Sequence, residues 1–311
     1  MAGPTRDGAW PDISSTSASK FIPQIWSGKL VTKFYATTMF AECANTDYEG
    51  EIKGAGDTVI IRTVPDIVIS NYVIGANLTY EKPTSPAVNL DINKAKSFSF
   101  TCSDVEEYQG DFNKMDKWSD DATNRMRVVI DTDVLATTYA GANAANAGAT
   151  AGAISSSINL GALGGGSLQL TKANVIDFLV DVGTVFDEQD IPDEDRWIAL
   201  PSWVCGLIKK SDLKDASLSG DPKSMLRTGI IGSIDRLNIF RNNNIASATD
   251  IADTVYHVTA GHKSALTFAS QMVKMETLPN PNDFGQLVRG LNVYGHKVIN
   301  DKGIVHAIVK K

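Results

Sequence analysis

Between Gly56 and Asp104 the chain holds two long apolar-alternating runs separated by a polar turn rich in Asn, Gly and Pro. In the second run Val88, Leu90, Ile92, Phe98, Phe100 and Cys102 share one face of an extended backbone. Asn89, Asp91, Asn93, Ser97, Ser99 and Thr101 share the other. Side chains alternate across a strand, so this spacing predicts a half-buried strand, or two strands with a bend at residues 93–96. Lys94 and Lys96 are polar intruders on the apolar side. The first run, 58–70, is apolar on both faces, with Val59, Ile61, Ile67 and Ile69 on one and Ile60, Val64 and Val68 on the other. Pro65 cannot donate to a ladder, which predicts an edge or a bulge there. A two-stranded ribbon is marginal alone, and an exposed apolar one invites aggregation. Either its own domain or a partner subunit must cover it, and the periodicity leaves both open.

Helical periodicity is clearest over residues 113–140. Met115, Trp118, Ala122, Met126, Val129, Ile130 and Val134 recur at helical spacing, with Asp121 and Arg125 as an i,i+4 pair on the wet side. Asn113 is placed to cap this helix, and Asp116 lies in its first turn. Upstream, residues 1–20 are small and polar and read as an arm without structure of its own. Trp26, Leu30, Val31 and Phe34 then predict a helix over about residues 23–41. After residue 140 a stretch rich in Gly, Ala, Ser and Asn marks a boundary. From Leu168 onward the elements alternate. The pattern predicts a helix capped at Thr171, a strand at 196–201, a second helix at 201–210 and an exposed loop at 211–225. Strands follow at 236–243, 254–261 and 263–269, and further strands separated by turns occupy the tail.

The chain has 311 residues, of which 43% are hydrophobic and 21% charged, enough for a sizeable core in one or two domains. A net charge of −7 and a pI near 5.1 exclude a nucleic-acid binder of the basic-stripe kind. The three cysteines, Cys43, Cys102 and Cys205, are far apart and odd in number, which fits buried thiols and not a disulfide framework. Neither a signal-peptide pattern nor an apolar run of spanning length is present, so a soluble protein without membrane contact is expected.

No arrangement of residues predicts a catalytic, cofactor-binding or metal site. The run Gly161–Ser167 lacks the Lys-Ser/Thr of a phosphate-binding loop and reads as a flexible connector. No Gly-x-Ser-x-Gly elbow occurs. His257, His262, His296 and His306 are never at metal-ligand spacing in sequence. Asp187, Glu188, Asp190, Asp193, Glu194 and Asp195 gather within one stretch, but it lacks the glycine that a calcium loop needs and reads as a solvated helix end. The Asn77 sequon carries no weight without a secretion signal. Weight therefore shifts from an enzyme toward a structural protein.

Three segments carry a family resemblance. Residues 42–72, "ECANTDYEGEIKGAGDTVIIRTVPDIVISNY", resemble the start of tailed-bacteriophage major capsid proteins. Residues 115–136 resemble their long spine helix, and residues 260–299 are similar to the segment that closes the family's axial domain. The match is collinear from Phe21 to the C-terminus. It implies an α+β fold, shared with encapsulins, laid out as an N-arm (1–53), an extended E-loop hairpin (54–93), a peripheral domain with the spine helix (94–140 and 270–311) and an axial domain (141–269).

By the same resemblance the function is a major capsid protein that assembles as hexamers and pentamers into an icosahedral shell around double-stranded DNA. The E-loop would lie across a neighbouring subunit, with Ile61, Arg62, Ile67, Ile69, Tyr72 and Tyr80 at that interface. The principal partner is then the chain itself. Packaged DNA would be contacted weakly and non-specifically, and separate scaffolding, portal and decoration proteins stay open. Residues 1–20 alone precede the match, which implies a separate scaffolding protein or none. Cofactors and membrane are not implied, and no cross-linking residue set can be carried over. The location implied is the virion capsid, assembled in the host bacterial cytoplasm. An encapsulin-like compartment shell and a soluble enzyme with an unrecognised site remain as alternatives.

Overall fold

The computed structural model describes residues 38–48, 58–65, 67–75, 77, 80–103, 114–211 and 232–311. The expected arm, most of the expected helix at 23–41, the Asn113 cap and nearly all of the 211–225 loop lie outside these residues. Among the described residues, a single helical turn, α1 (Phe40–Cys43), precedes the ribbon.

The ribbon root is an antiparallel pair, β1 (Thr58–Arg62) with β2 (Ala87–Asp91), Thr58 facing Asp91 and Arg62 facing Ala87. Beyond Arg62 the ladder stops, three residues before Pro65, which could not have donated to it. Thr63 closes the root by donating its N–H and its hydroxyl to Pro86 O, both at 3.0 Å. The described residues between Thr63 and Pro86 form no ladder, so the long hairpin expected from alternation is a short paired root carrying an extended, unpaired tip.

The second apolar run is two strands. β3 (Lys94–Ser103) begins after a break at Ile92 and Asn93. Its alternate residues are half-buried or buried, as the spacing predicts. The intruding Lys94 is explained by an ion pair, its Nζ lying 2.8 Å from Asp133 Oδ2.

Asp133 belongs to the spine helix, α2 (Lys114–Thr138), which runs 25 residues uninterrupted and ends in a 3₁₀ turn at Tyr139–Gly141. Asp121 and Arg125 pair at 3.2 Å on its wet side. Ile130, Val134 and Leu135 are buried, whereas Met126 is only half-buried and Val129 is 46% exposed, so the buried stripe sits nearer the C-terminal end than expected.

Next come β4 (Leu168–Gln169), α3 (Val175–Glu188), β5 (Arg196–Leu200), α4 (Ser202–Lys210), β6 (Ser233–Ile234), β7 (Leu237–Arg241), β8 (Ser247–Asp250) and β9 (Asp253–His262). Helix α3 starts three residues later than a Thr171 cap would place it, because the Thr171 N–H and hydroxyl bond to the Asn174 side chain in a local turn. β10 (Leu266–Pro279), β11 (Gly285–Val298) and β12 (Ile304–Lys310) complete the order. A 3₁₀ turn at Lys263–Ala265 replaces the start of the strand expected at 263–269.

Two larger sheets result. β10, β11 and β3 form an antiparallel sheet in that order. Across it Gly290 faces Phe98, and a Cβ on Gly290 would lie 2.3 Å from the Phe98 ring, so only glycine lets that ring lie over the strand. The second sheet has seven strands, ordered β4-β12-β9-β5-β7-β6, with β8 against β9. The C-terminal strand β12, grouped by expectation with the peripheral residues 270–311, pairs instead with β9 and β4 in this second sheet.

Strand β5 is buried on both faces and shows how the two bodies join. Ile198 and Leu200 pack with Phe178, Leu179, Phe186 and Ile208 of α3 and α4. Trp197 and Ala199 face the other way, into a cluster with Ile130, Val134, Phe268 and Tyr294 from the spine and the three-stranded sheet. A centre with apolar residues on both sides is what a fully covered strand requires.

Candidate assembly surface

The ribbon tip is where apolar residues are left outside. Ile69 and Ile74 are 91% and 89% exposed, and Val64, Ile67, Val68, Tyr72, Val73 and Tyr80 are exposed as well. Scattered surface apolar residues are ordinary, but a contiguous set of this size marks an interaction site. Polar contacts shape the tip without covering it. Val68 N–H donates to Glu81 Oε2 at 3.2 Å, and the Ser85 hydroxyl donates to Thr63 O.

The six residues expected at the interface divide. Ile67, Ile69, Tyr72 and Tyr80 project from the tip, and Arg62 is exposed at the end of the root. Ile61 is different: only 5% exposed, it packs with Leu90, Ile92 and Ala269, so its side chain is committed to its own subunit. Val64, Val68, Val73 and Ile74 belong beside the other tip residues. The signal for Val64 and Val68 is their place among the apolar residues on both faces of the first run, whereas Val73 and Ile74 lie beyond that run.

A second partly covered apolar surface lies between the spine helix and β3. Phe98, Phe100, Trp118, Ala122, Met126 and Val129 line a groove of about 420 Å³. Trp118 meets Phe100 edge-on, with ring centroids 6.0 Å apart. The exposure of Val129 has its cause here: this face of α2 borders the groove and not the core.

A buried polar knot fixes the frame that carries both surfaces. Asp131, fully buried on α2, accepts the N–H groups of Met39 at 2.9 Å and Phe40 at 3.1 Å. It also accepts the side-chain amides of Asn242 at 2.6 Å and Asn244 at 2.8 Å. One carboxylate thus joins the start of α1, the spine and the loop after β7, with four donors meeting the need that burying a charge creates.

The groups that chemistry might use are engaged otherwise. Arg196, buried, bonds to Asp187 Oδ1 at 2.8 Å and pairs with Asp193 at 3.0 Å, and Arg236 reaches the same two carboxylates at 2.8 and 2.7 Å. Burial raises the Asp187 pKa, but the two guanidiniums outweigh that and hold it below the ordinary carboxylate range. Glu188 Oε2 accepts from Ile154 N at 2.8 Å and Ser155 N at 3.1 Å, which holds its pKa low. The acidic stretch is therefore an arginine-clamped corner.

His257 and His306, 49 residues apart, meet across β9 and β12 with Nδ1 and Nε2 2.9 Å apart, and Tyr139 stacks on His257. Sequence spacing could not show this pair, because strand register makes it. Among the described residues, no group of three or more His, Cys, Asp or Glu side chains could hold a metal ion. No helix among them is long and apolar enough to cross a membrane.

Comparison with known proteins agrees with this geometry. No curated protein matches the chain. Among solved structures, one from Mycobacterium phage Che8 superposes with a TM-score of 0.75 at 24% identity, covering 92% of this chain and 96% of that one. The capsid structure of cyanophage P-SCSP1u gives 0.70 at 16% identity, covering 97% of each chain. The mature capsid of bacteriophage PhiM1 gives 0.66 at 13% identity, covering 93% and 91%. These establish the α+β capsid fold. The model of a family described as phage capsid protein matches residues 86–307, well over half the chain. The chain belongs to the phage capsid protein family, as a major capsid protein whose place is the shell of the virion.

Proposed function

We propose that copies of this chain join as hexamers and pentamers into an icosahedral shell around double-stranded DNA, each ribbon lying across the neighbouring copy. The observation that carries this reading is the ribbon tip, where eight large apolar side chains from Val64 to Tyr80 lie open on the described chain. Fully burying such a side chain contributes roughly 1.5–3 kcal/mol, so even partial cover by a neighbour supplies a strong association term. The groove beside Trp118 and Phe100 offers a receiving surface of matching character. Net charge supports a shell that contains DNA without gripping it. At −7 the chain has little to offer in phosphate neutralisation, the main source of duplex affinity. Assembly in the host cytoplasm belongs to the same reading, and no catalytic role is assigned.

Deleting residues 71–84 tests the claim. The shortened protein should stay soluble and melt as the full chain does, and electron microscopy should show no shells. Normal shells from that deletion would overturn the role of the ribbon.

A further inference from the structure

Two loops meet at one edge of the seven-stranded sheet. One is the glycine-rich run 161–166, closed by the Ala162 N–H donating to Gly166 O at 3.0 Å. The other is the hairpin turn between β8 and β9, where Asp250 pairs with Asp253 and leaves Ile251 and Ala252 at the corner. Asp250 ties the loops together: Oδ1 accepts the Gly164 N–H at 2.9 Å and Oδ2 accepts the Gly165 N–H at 3.1 Å. The run expected to be a flexible connector is thus a pinned loop, and its amides are occupied by a carboxylate of the same chain. Above this tie stand Leu163 and Ile251, 56% and 82% exposed. They flank the tie, Leu163 preceding Gly164 and Ile251 following Asp250, and Ile251 leans on the glycine loop, where a Cβ built on Gly165 would lie 3.0 Å from Ile251 Cδ1.

Ile251 has φ +56°, and Ala252 is not among the positive-φ residues. In a two-residue hairpin turn, positive φ at the first central position alone marks the place glycine normally takes. A β-branched residue there is an outlier, because its branches crowd the backbone. Within the subunit this isoleucine is unfavourable twice, with a strained backbone and an apolar side chain in water. Strain that folding does not require points to a role outside the fold.

We propose that Ile251 and Leu163 form a knob that contacts a second copy of this chain at a site separate from the ribbon. The size of the patch decides the occupant. Two side chains cover far less than the ~1,200 Å² that a free-standing interface needs. The knob therefore acts only on a body already held alongside, for which a further contact is effectively intramolecular. In a shell, that body is another copy. The proposal rests on the shell reading above.

The test uses the full-length protein with Ile251→Gly, Ile251→Asn and Leu163→Asn, and Ala252→Asn as the control. Glycine and asparagine tolerate positive φ, so both Ile251 variants should melt at or above the wild-type temperature. The three knob variants should need about tenfold more protein to form shells, read by light scattering and sedimentation, as for loss of a small central contact. The control should assemble as wild type does. Shells from the knob variants at the wild-type concentration would overturn the proposal. So would a lower melting temperature for Ile251→Asn, or an assembly loss in Ala252→Asn equal to that in the Ile251 variants. A wild-type chain that never passes small oligomers would instead sink the shell reading itself.

Discussion

Strand β5 and the stretch from Ile67 to Ile74 are both dominated by β-branched, aliphatic and aromatic residues, yet they meet opposite surroundings. Every residue of β5 is buried, with Ile198 and Leu200 turned to the helices and Trp197 and Ala199 to the spine. The residues from Ile67 to Ile74 are exposed throughout, and no ladder bonds hold them. Composition alone does not separate the two. The difference lies in what flanks them: β5 is paired on both edges, by β7 and β9, whereas the ribbon loses pairing at Arg62 and runs into Pro65. The exposed tip is the surface that the proposed contact with a neighbouring copy would cover.

The sharpest way to break this comparison is to put the same charge in both places. Ile198→Asp buries an unpaired carboxylate among Phe178, Leu179 and Phe186, and should lower stability by more than about 4 kcal/mol, leaving little folded protein. Ile69→Asp should leave the melting temperature within error of wild type and abolish shells. Calorimetry with electron microscopy reads both outcomes. If Ile69→Asp unfolds the subunit, the tip is part of its own core and the contrast fails.

The spine repeats the contrast on a single helix. Ile130 is buried, and Val129 next to it is 46% exposed beside the groove. Ile130→Ala should cost about 2–4 kcal/mol through lost contacts and a cavity. Val129→Ala should stay within about 0.5 kcal/mol, with any deficit appearing in assembly. Denaturant midpoints at constant m separate the two. Equal losses would mean that Val129 belongs to the core, as its spacing predicts.

Local period is legible in the sequence, and tertiary surroundings are not. The spine helix was readable because 25 residues without Gly or Pro keep one period, and β3 because polar and apolar residues alternate along it almost without break. Helical period assigns residues to a stripe, but it does not say which end of the stripe meets a sheet and which borders a groove, hence Met126 and Val129. The sheet that receives β12 was hidden because pairing between β12 and β9, like the meeting of His306 with His257, is set by tertiary register. Alternation assigns Ile61 to the interface because it shows two apolar faces and cannot show that Leu90 and Ile92 claim one of them. The carboxylates of the acidic stretch read as solvated because Arg236, their second partner, lies some forty residues away in sequence.

An effect smaller than the Ile130 loss tests the histidines that hold the end of the spine. Burial first, and then the nearby His257, lower the His306 pKa from 6.5 to about 4, and burial lowers that of His257. His296, whose Nε2 lies 2.5 Å from Thr137 Oγ1, also falls to about 4, through burial and Lys94, with Asp133 opposing. A group whose folded pKa lies below its unfolded value binds fewer protons when folded. Its stability contribution is therefore complete above pH 6.5 and is lost as pH falls toward 4. Allowing for partial exposure, the loss from pH 7 to pH 5 should be about 1–2 kcal/mol for His306. The depressed carboxylates Asp187 and Asp133 act in a lower window, contributing above 3.8 and fading only beneath it, so the two processes separate. Melting temperatures at pH 7 and pH 5 should converge in His306→Gln relative to wild type, because the amide stays neutral and can still bond to His257. A further change of His296→Gln should flatten what remains. If both variants keep the full wild-type drop between pH 7 and pH 5, the acid sensitivity arises elsewhere and the spine end is not held by neutral imidazoles.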